Sequence, residues 1–249
     1  MFKRLSLFVA ASLLSANAMA ADNWTGWYVG GNIGQNNGHA NTTTTLSGAW
    51  TTESAGLQSA FSNGLSRTPD PKGLNYGVQF GYNHSFDSGF LLGAELGYTR
   101  LNVDASNSRT VTSPFPTLSY AVYDKIDLDD ELSVRGKIGY SGGRHAFYGT
   151  AGLVRVDTDM ITTVHSTGNY LKRGHSSANL SGYQFGAGYE YDFGNEVSLR
   201  AEVLRTNLND ANFATTYQTG SAFVTPAYNE SIKQDVDYTS LRIGVNYRF

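Results

Sequence analysis

Eight charged side chains carry the strongest chemical signal in this 249-residue chain. Glu95, Glu131, Arg135, Lys137, Glu190, Arg200, Glu202 and Arg242 each lie in a run where about every second residue is apolar or aromatic. They hold the polar parity of those runs, so a strand reading puts all eight on one face. Carboxylates and cations on neighbouring strands of one face can neutralise one another, and buried charge is tolerated only when paired and hydrogen-bonded. Two outcomes follow: a salt-bridged filling that stabilises the fold, or a narrow gated pathway in which the pairs exchange partners.

Other reactive residue types are scattered. His84 and Ser85 are adjacent, and neighbours on a strand point to opposite faces, so they do not form a nucleophile–base pair. His165 and His175 share a polar stretch near Asp157 and Asp159, and His39 stands alone in another; no spacing among them demands a metal or a haem. The expectation is no catalytic residue, no metal and no cofactor, and therefore no enzyme. Arg100, Arg205, Lys172 and Arg173 form a separate basic group. At a membrane interface they could snorkel to lipopolysaccharide phosphates.

The elements that position these residues repeat one pattern. In the last strand candidate, Leu241, Ile243, Val245, Tyr247 and Phe249 alternate with Arg242, Gly244, Asn246 and Arg248. Leu74–Phe86 alternates the same way and turns at Asp87-Ser88-Gly89 into a run from Phe90 to Leu101. Leu128, Leu132, Val134, Ile138 and Tyr140 alternate with Asp129, Glu131, Ser133, Arg135 and Lys137. Ala146 to about Thr162 is read with Tyr148, Val154 and Val156 outward, which turns Arg155 inward. Ala178–Phe193, Val197–Asn207 and an opening strand from Trp24 to Gln35 bring the count to eight. Between them, 36–73, 102–125, 163–177 and 208–235 read as long polar loops, alternating with tight turns.

At the N-terminus, Lys3 and Arg4 precede an apolar run from Leu5 to Leu14 and a small-x-small site at Ala18-Met19-Ala20. This is the form of a cleaved secretory signal peptide over 1–20, leaving 21–249 as one domain. The apolar run is too short to span a bilayer. Without Lys3 and Arg4 the mature chain keeps 16 basic against 21 acidic residues. That balance, with no basic stripe, excludes nucleic acid as a partner. There is no cysteine, so an exported chain must hold together without disulfides. Low overall hydropathy fits strands that are apolar only at alternate positions. Many of the 28 glycines fall inside the strand patterns rather than only in turns, where small inward residues make room for bulky ones.

Long and short connections in strict alternation, with one apolar and one polar face, are the pattern of a transmembrane barrel. The fold expected is all-β: an eight-stranded antiparallel up-and-down barrel. The opening Asn23-Trp24-Thr25-Gly26-Trp27-Tyr28-Val29-Gly30-Gly31-Asn32-Ile33-Gly34 and the ending Val245-Asn246-Tyr247-Arg248-Phe249 resemble the small Gram-negative outer-membrane β-barrel family, the porin-like and opacity-like relatives of the OmpA barrel. The resemblance implies an outer-membrane location. It also implies that Leu241, Ile243, Val245, Tyr247 and Phe249 form the signal read by the barrel-assembly machinery. Expected partners are outer-membrane lipid, lipopolysaccharide and that machinery. The function expected is structural and permeability-related, with a narrow porin-like channel left open. An alternative is adhesion to a host surface or capture of haem or another extracellular ligand. Loop aromatics Trp50, Phe61, Phe115, Phe213, Tyr217 and Phe223 would anchor such contacts. A lipid A-modifying enzyme is the least favoured reading.

Overall fold

The computed structural model describes residues 24–66 and 70–249. The leader read over 1–20 lies outside the described residues. Nine antiparallel strands form one closed sheet: β1 (Gly26–Gly48), β2 (Lys72–Ser85), β3 (Phe90–Thr112), β4 (Ser119–Gly142), β5 (His145–Ser166), β6 (Leu171–Gly194), β7 (Val197–Leu208), β8 (Ala211–Tyr217) and β9 (Tyr228–Arg248). Pairing of β1 with β9 from Tyr28↔Arg248 to Gly48↔Tyr228 closes the circle and removes both edges. Around the circumference there are eight positions. Both β7 and β8 lie between β6 and β9, β8 resuming above the end of β7, so the two are one interrupted strand.

Strand length is where sequence reading fell short. β3 has 23 residues and β4 has 24. At about 3.3 Å per residue and a tilt near 40°, β3 rises roughly 55–60 Å, twice an apolar band of about 25 Å. The stretches read as loops at 102–125, 163–177 and 208–235 are mostly strand, and so is 36–48. Apart from the helical stretch after β1 and the ten residues 218–227, the connections are short turns, such as the one between Ser166 and Leu171. The reason is chemical. In β1, Ala40, Thr42 and Thr44 face in while Asn41, Thr43 and Thr45 face out. An outer face bathed in water carries no apolar marker, so its alternation is hidden in the sequence.

The two halves of the barrel have opposite polarity. In the lower half, Val29, Ile33, Val78, Leu96, Leu132, Ile138, Leu153, Val203 and Ile243 are exposed on the outer face. In the upper half the outer face turns polar and the interior turns apolar. Leu101, Val103, Ile126, Leu128, Val154, Val156, Met160 and Val236 are all buried in one core cluster. A membrane barrel thus continues upward into a barrel built like a soluble one.

Two corrections follow, the first from this inversion and the second from a bulge. In β5, Tyr148, Val154 and Val156 point inward, not outward, while Phe147, Leu153 and Arg155 point out. Leu153 belongs to the lipid belt and Val154 to the upper core, so apolar side chains occupy both parities where the strand crosses between the two. In β4, Leu128 is buried and Asp129 lies outside. A register shift between Leu128 and Glu131 inserts an extra residue and flips the parity.

The top is capped. After β1, a short turn of 3-10 helix (Ala49–Thr52) leads into α1 (Ala55–Leu65). Ser54 caps α1 by accepting from the Leu57 amide at 3.3 Å. Leu57, Phe61 and Leu65, four residues apart, form the buried stripe that seats α1 on the barrel.

Candidate functional site

The eight charged residues named above come together inside the lower barrel, none more than 4% exposed. Glu95 on β3 is the hub. It pairs with Arg135 and with Lys137 at 2.7 Å on the adjacent β4, and crosses the lumen to Arg200 on β7. Arg200 pairs also with Glu202 at 2.9 Å, and Arg135 approaches Glu202 at 3.5 Å. One level up, Arg242 meets Glu131 at 2.9 Å. Glu190 takes hydrogen bonds from Asn246 at 2.7 Å and from Ser198. Four carboxylates face four cations, so the filling carries no net charge and no surplus that would hold a mobile counter-ion.

Tyrosines complete the filling. The Tyr28 hydroxyl donates to Glu95 at 2.7 Å and accepts from Lys137 at 2.7 Å. Tyr148 donates to Glu202 at 3.0 Å, and Tyr238 donates to Glu131. The Lys137 ammonium sits 4.8 Å from the ring centroids of both Tyr28 and Tyr148. Glycine makes this fit: a Cβ on Gly81 would collide with the Tyr28 ring, and one on Gly188 with the Tyr148 ring. Tyr28 has the inward parity in sequence. Tyr148 was hidden by the parity inversion, and Tyr238 lay in the part of β9 next to a stretch read as loop.

Both ends of the lumen are closed. At the bottom, Trp24 packs with Leu91, Ala146 and Tyr148, and its indole N–H donates to the Gly143 carbonyl at 3.1 Å. Above the ionic layers come the apolar core and then the aromatic cluster beneath α1. Within that upper region two charged pairs had no sequence signal, because their residues lie in stretches read as loop. Arg109 pairs with Asp124 at 2.5 Å, and burial raises the Asp124 carboxyl above the usual range. Glu230 takes Lys172 at 2.5 Å and the Trp50 indole N–H at 2.6 Å, and also accepts from Tyr170.

The basic group on the outside is therefore smaller than expected. Lys172 is buried against Glu230 and cannot reach lipopolysaccharide. Arg173, one residue on, is exposed. Arg100 pairs with Asp129 at 3.1 Å and Asp130 at 2.9 Å, and Arg205 with Asp237 at 2.5 Å. Leu241, Ile243, Val245, Tyr247 and Phe249 all face outward. The histidines are apart from one another: His39 contacts Asp70 at 2.9 Å, His175 contacts Asp159 at 3.0 Å, and His84 stacks edge-on to Phe86. The Ser85 hydroxyl lies 2.7 Å from that of Ser141. Among the described residues no three acidic, histidine or cysteine side chains group to hold a metal ion.

At the distal tip lies a cavity of about 140 Å³. Trp50, Tyr120 and Tyr170 are its buried walls, Glu53 and Tyr228 its half-buried side, and Phe115 and Phe223 its exposed lips. Of the six loop aromatics expected as anchors, Trp50 and Phe61 are core, Phe213 and Tyr217 pack against core, and only Phe115 and Phe223 stand exposed.

The profile of the outer membrane protein beta-barrel domain matches residues 6–249. The 31 kDa outer-membrane immunogenic proteins of Brucella melitensis biotype 1 and Brucella suis biovar 1 are each 27% identical over 267 residues, covering 99% of this chain and 100% of theirs. The outer membrane protein OprG of Pseudomonas aeruginosa is similar in structure at a TM-score of 0.47 and 12% identity, over 92% of this chain and 98% of that one.

Proposed function

Since the chain belongs to the outer membrane protein beta-barrel domain family and resides in the cell outer membrane, we propose that it is a non-conducting anchor for a rigid β-structured projection. The lower barrel is the anchor and the upper barrel is the projection. One observation carries this reading: the interior is filled from Trp24 to α1 by an indole plug, two ionic layers, an apolar core and an aromatic cap. Conduction would require several of these layers to open together. Buried pairs held from two or three sides resist that, because parting one leaves an uncompensated charge out of water. The chain works, on this reading, without catalysis. The name of the Brucella relatives, "immunogenic", fits display at the cell surface.

The competing reading is a gated channel in which Arg242 and its neighbours exchange partners. Planar-bilayer recording of the refolded barrel separates the two. The expected record is a flat baseline for the wild type and for Arg242→Ala. Unitary current steps in the wild type that change in Arg242→Ala would establish the channel instead.

A further inference from the structure

The tip cavity has features that the anchoring role does not use. Its walls are electron-rich rings set at right angles: Trp50 meets Tyr228 at 80° and Tyr170 at 83°, and Tyr120 meets Tyr170 at 89°. The four rings pack edge to face and all line the one cavity, and an aromatic face turned to such a space presents a negative quadrupole that attracts cations. Glu53 stands in the wall, its carboxylate accepting from the Tyr228 hydroxyl at 2.6 Å. Among the described residues no cation pairs with it, whereas Glu230, just below, is already matched by Lys172. The tyrosines register this field. Burial and the carboxylates of Glu53 and Glu230 push Tyr120 up to about 12, and the hydrogen bond to Glu53 pushes Tyr228 up to about 12.

The mouth is also built. Phe223 is 58% exposed and holds φ at +61°, a left-handed conformation costly for a bulky side chain. Apolar rings held out into water at the most distal point of an outer-membrane protein call for a partner. The volume sets its size, since a cavity of about 150 Å³ holds a benzene-sized guest, and a trimethylammonium group is comparable.

We propose that the tip cavity is a receptor site for a quaternary ammonium group of the choline type, held by Trp50, Tyr120, Tyr170 and Tyr228 and neutralised by Glu53. A free molecule and a phosphocholine headgroup present the same group, and the cage chemistry is the same for both. The inference is independent of whether the barrel conducts.

The test is titration calorimetry on the full barrel refolded in detergent, with fold checked by heat-dependent gel mobility. Four probes are used: tetramethylammonium, choline, 3,3-dimethylbutan-1-ol (the neutral carbon isostere of choline) and acetate. Saturable binding of the two cations is expected, with the isostere about tenfold weaker and acetate not bound. Glu53→Gln is expected to weaken choline about tenfold, and Phe223→Ala, at the exposed lip and safe for folding, by roughly two- to fivefold. Vesicle flotation then assigns the source. Capture by phosphatidylcholine but not phosphatidylglycerol vesicles points to a headgroup, and binding of choline without capture points to a free molecule. The proposal is overturned if folded wild type binds no cation, if the isostere binds as well as choline, or if acetate binds.

Discussion

Arg200 shows how a single side chain decides the character of the lumen. It is 1% exposed and reaches two carboxylates, Glu95 across the lumen on β3 and Glu202 two residues along its own strand β7. The ion pair alone is weak evidence for stability, since desolvation offsets much of the Coulomb gain. Removing one partner is different, because four buried carboxylates are then left with three cations, Glu202 keeping only Arg135 at 3.5 Å. Arg200→Met should therefore destabilise the folded barrel by about 3–5 kcal/mol. Adding Glu202→Leu should restore a good part of that loss, because it removes a charge the first change orphaned. Urea unfolding in lipid vesicles measures both. An Arg200→Met variant within about 0.5 kcal/mol of wild type, the ordinary range of a surface substitution, would show that the charges are solvated and the lumen is wet.

At the scale of the strand, what sequence could reveal depended on which solvent touched each face. In the lower halves of β3, β4, β6, β7 and β9 one face meets hydrocarbon, so Leu96, Tyr98, Leu132, Val134, Ile138, Tyr183, Phe185, Leu199, Val203, Leu241 and Ile243 mark it plainly and their neighbours fall inside by elimination. That is why all eight lumen charges could be placed. Above the belt the outer face meets water and the marker disappears, so a strand of serine, threonine and asparagine resembles a loop. Where the change falls within one strand, as at Leu153–Val154 in β5, both parities are apolar and periodicity alone gives the wrong face. The extra residue at Asp129–Asp130 in β4 adds a parity flip that no local pattern announces. Cysteine scanning tests the upper register cleanly, because the chain has no cysteine of its own. On intact cells a membrane-impermeant maleimide should label Arg173→Cys and leave Lys172→Cys unlabelled, since the first side chain is exposed and the second is 1% exposed beside Glu230. Equal labelling at both positions would return 163–177 to the loop that sequence suggests.

At the scale of the whole molecule, one sheet serves two media by exchanging which face is apolar. Below, burial of polar groups inside is made tolerable by mutual pairing, and the outer apolar surface is covered by lipid. Above, the interior is an apolar core with two charged pairs set into it, so the projection has a source of stability of its own besides lipid. Continuous hydrogen bonding of the same strands through the boundary, as in the unbroken β1–β9 ladder from Tyr28 to Gly48, makes the two halves mechanically one body. The projection should then behave as a stiff post rather than as a brush of loops. Subtracting an apolar band of about 25 Å from a rise of roughly 55–60 Å leaves a post on the order of 30 Å above the bilayer. Atomic force imaging of the barrel in a supported bilayer should record that height on one face only, and the height should stay constant as the imaging force increases within the range that leaves the bilayer intact. The conclusion fails if the protrusion collapses to a few ångströms under light load, because flexible loops compress and a closed barrel with a packed core does not.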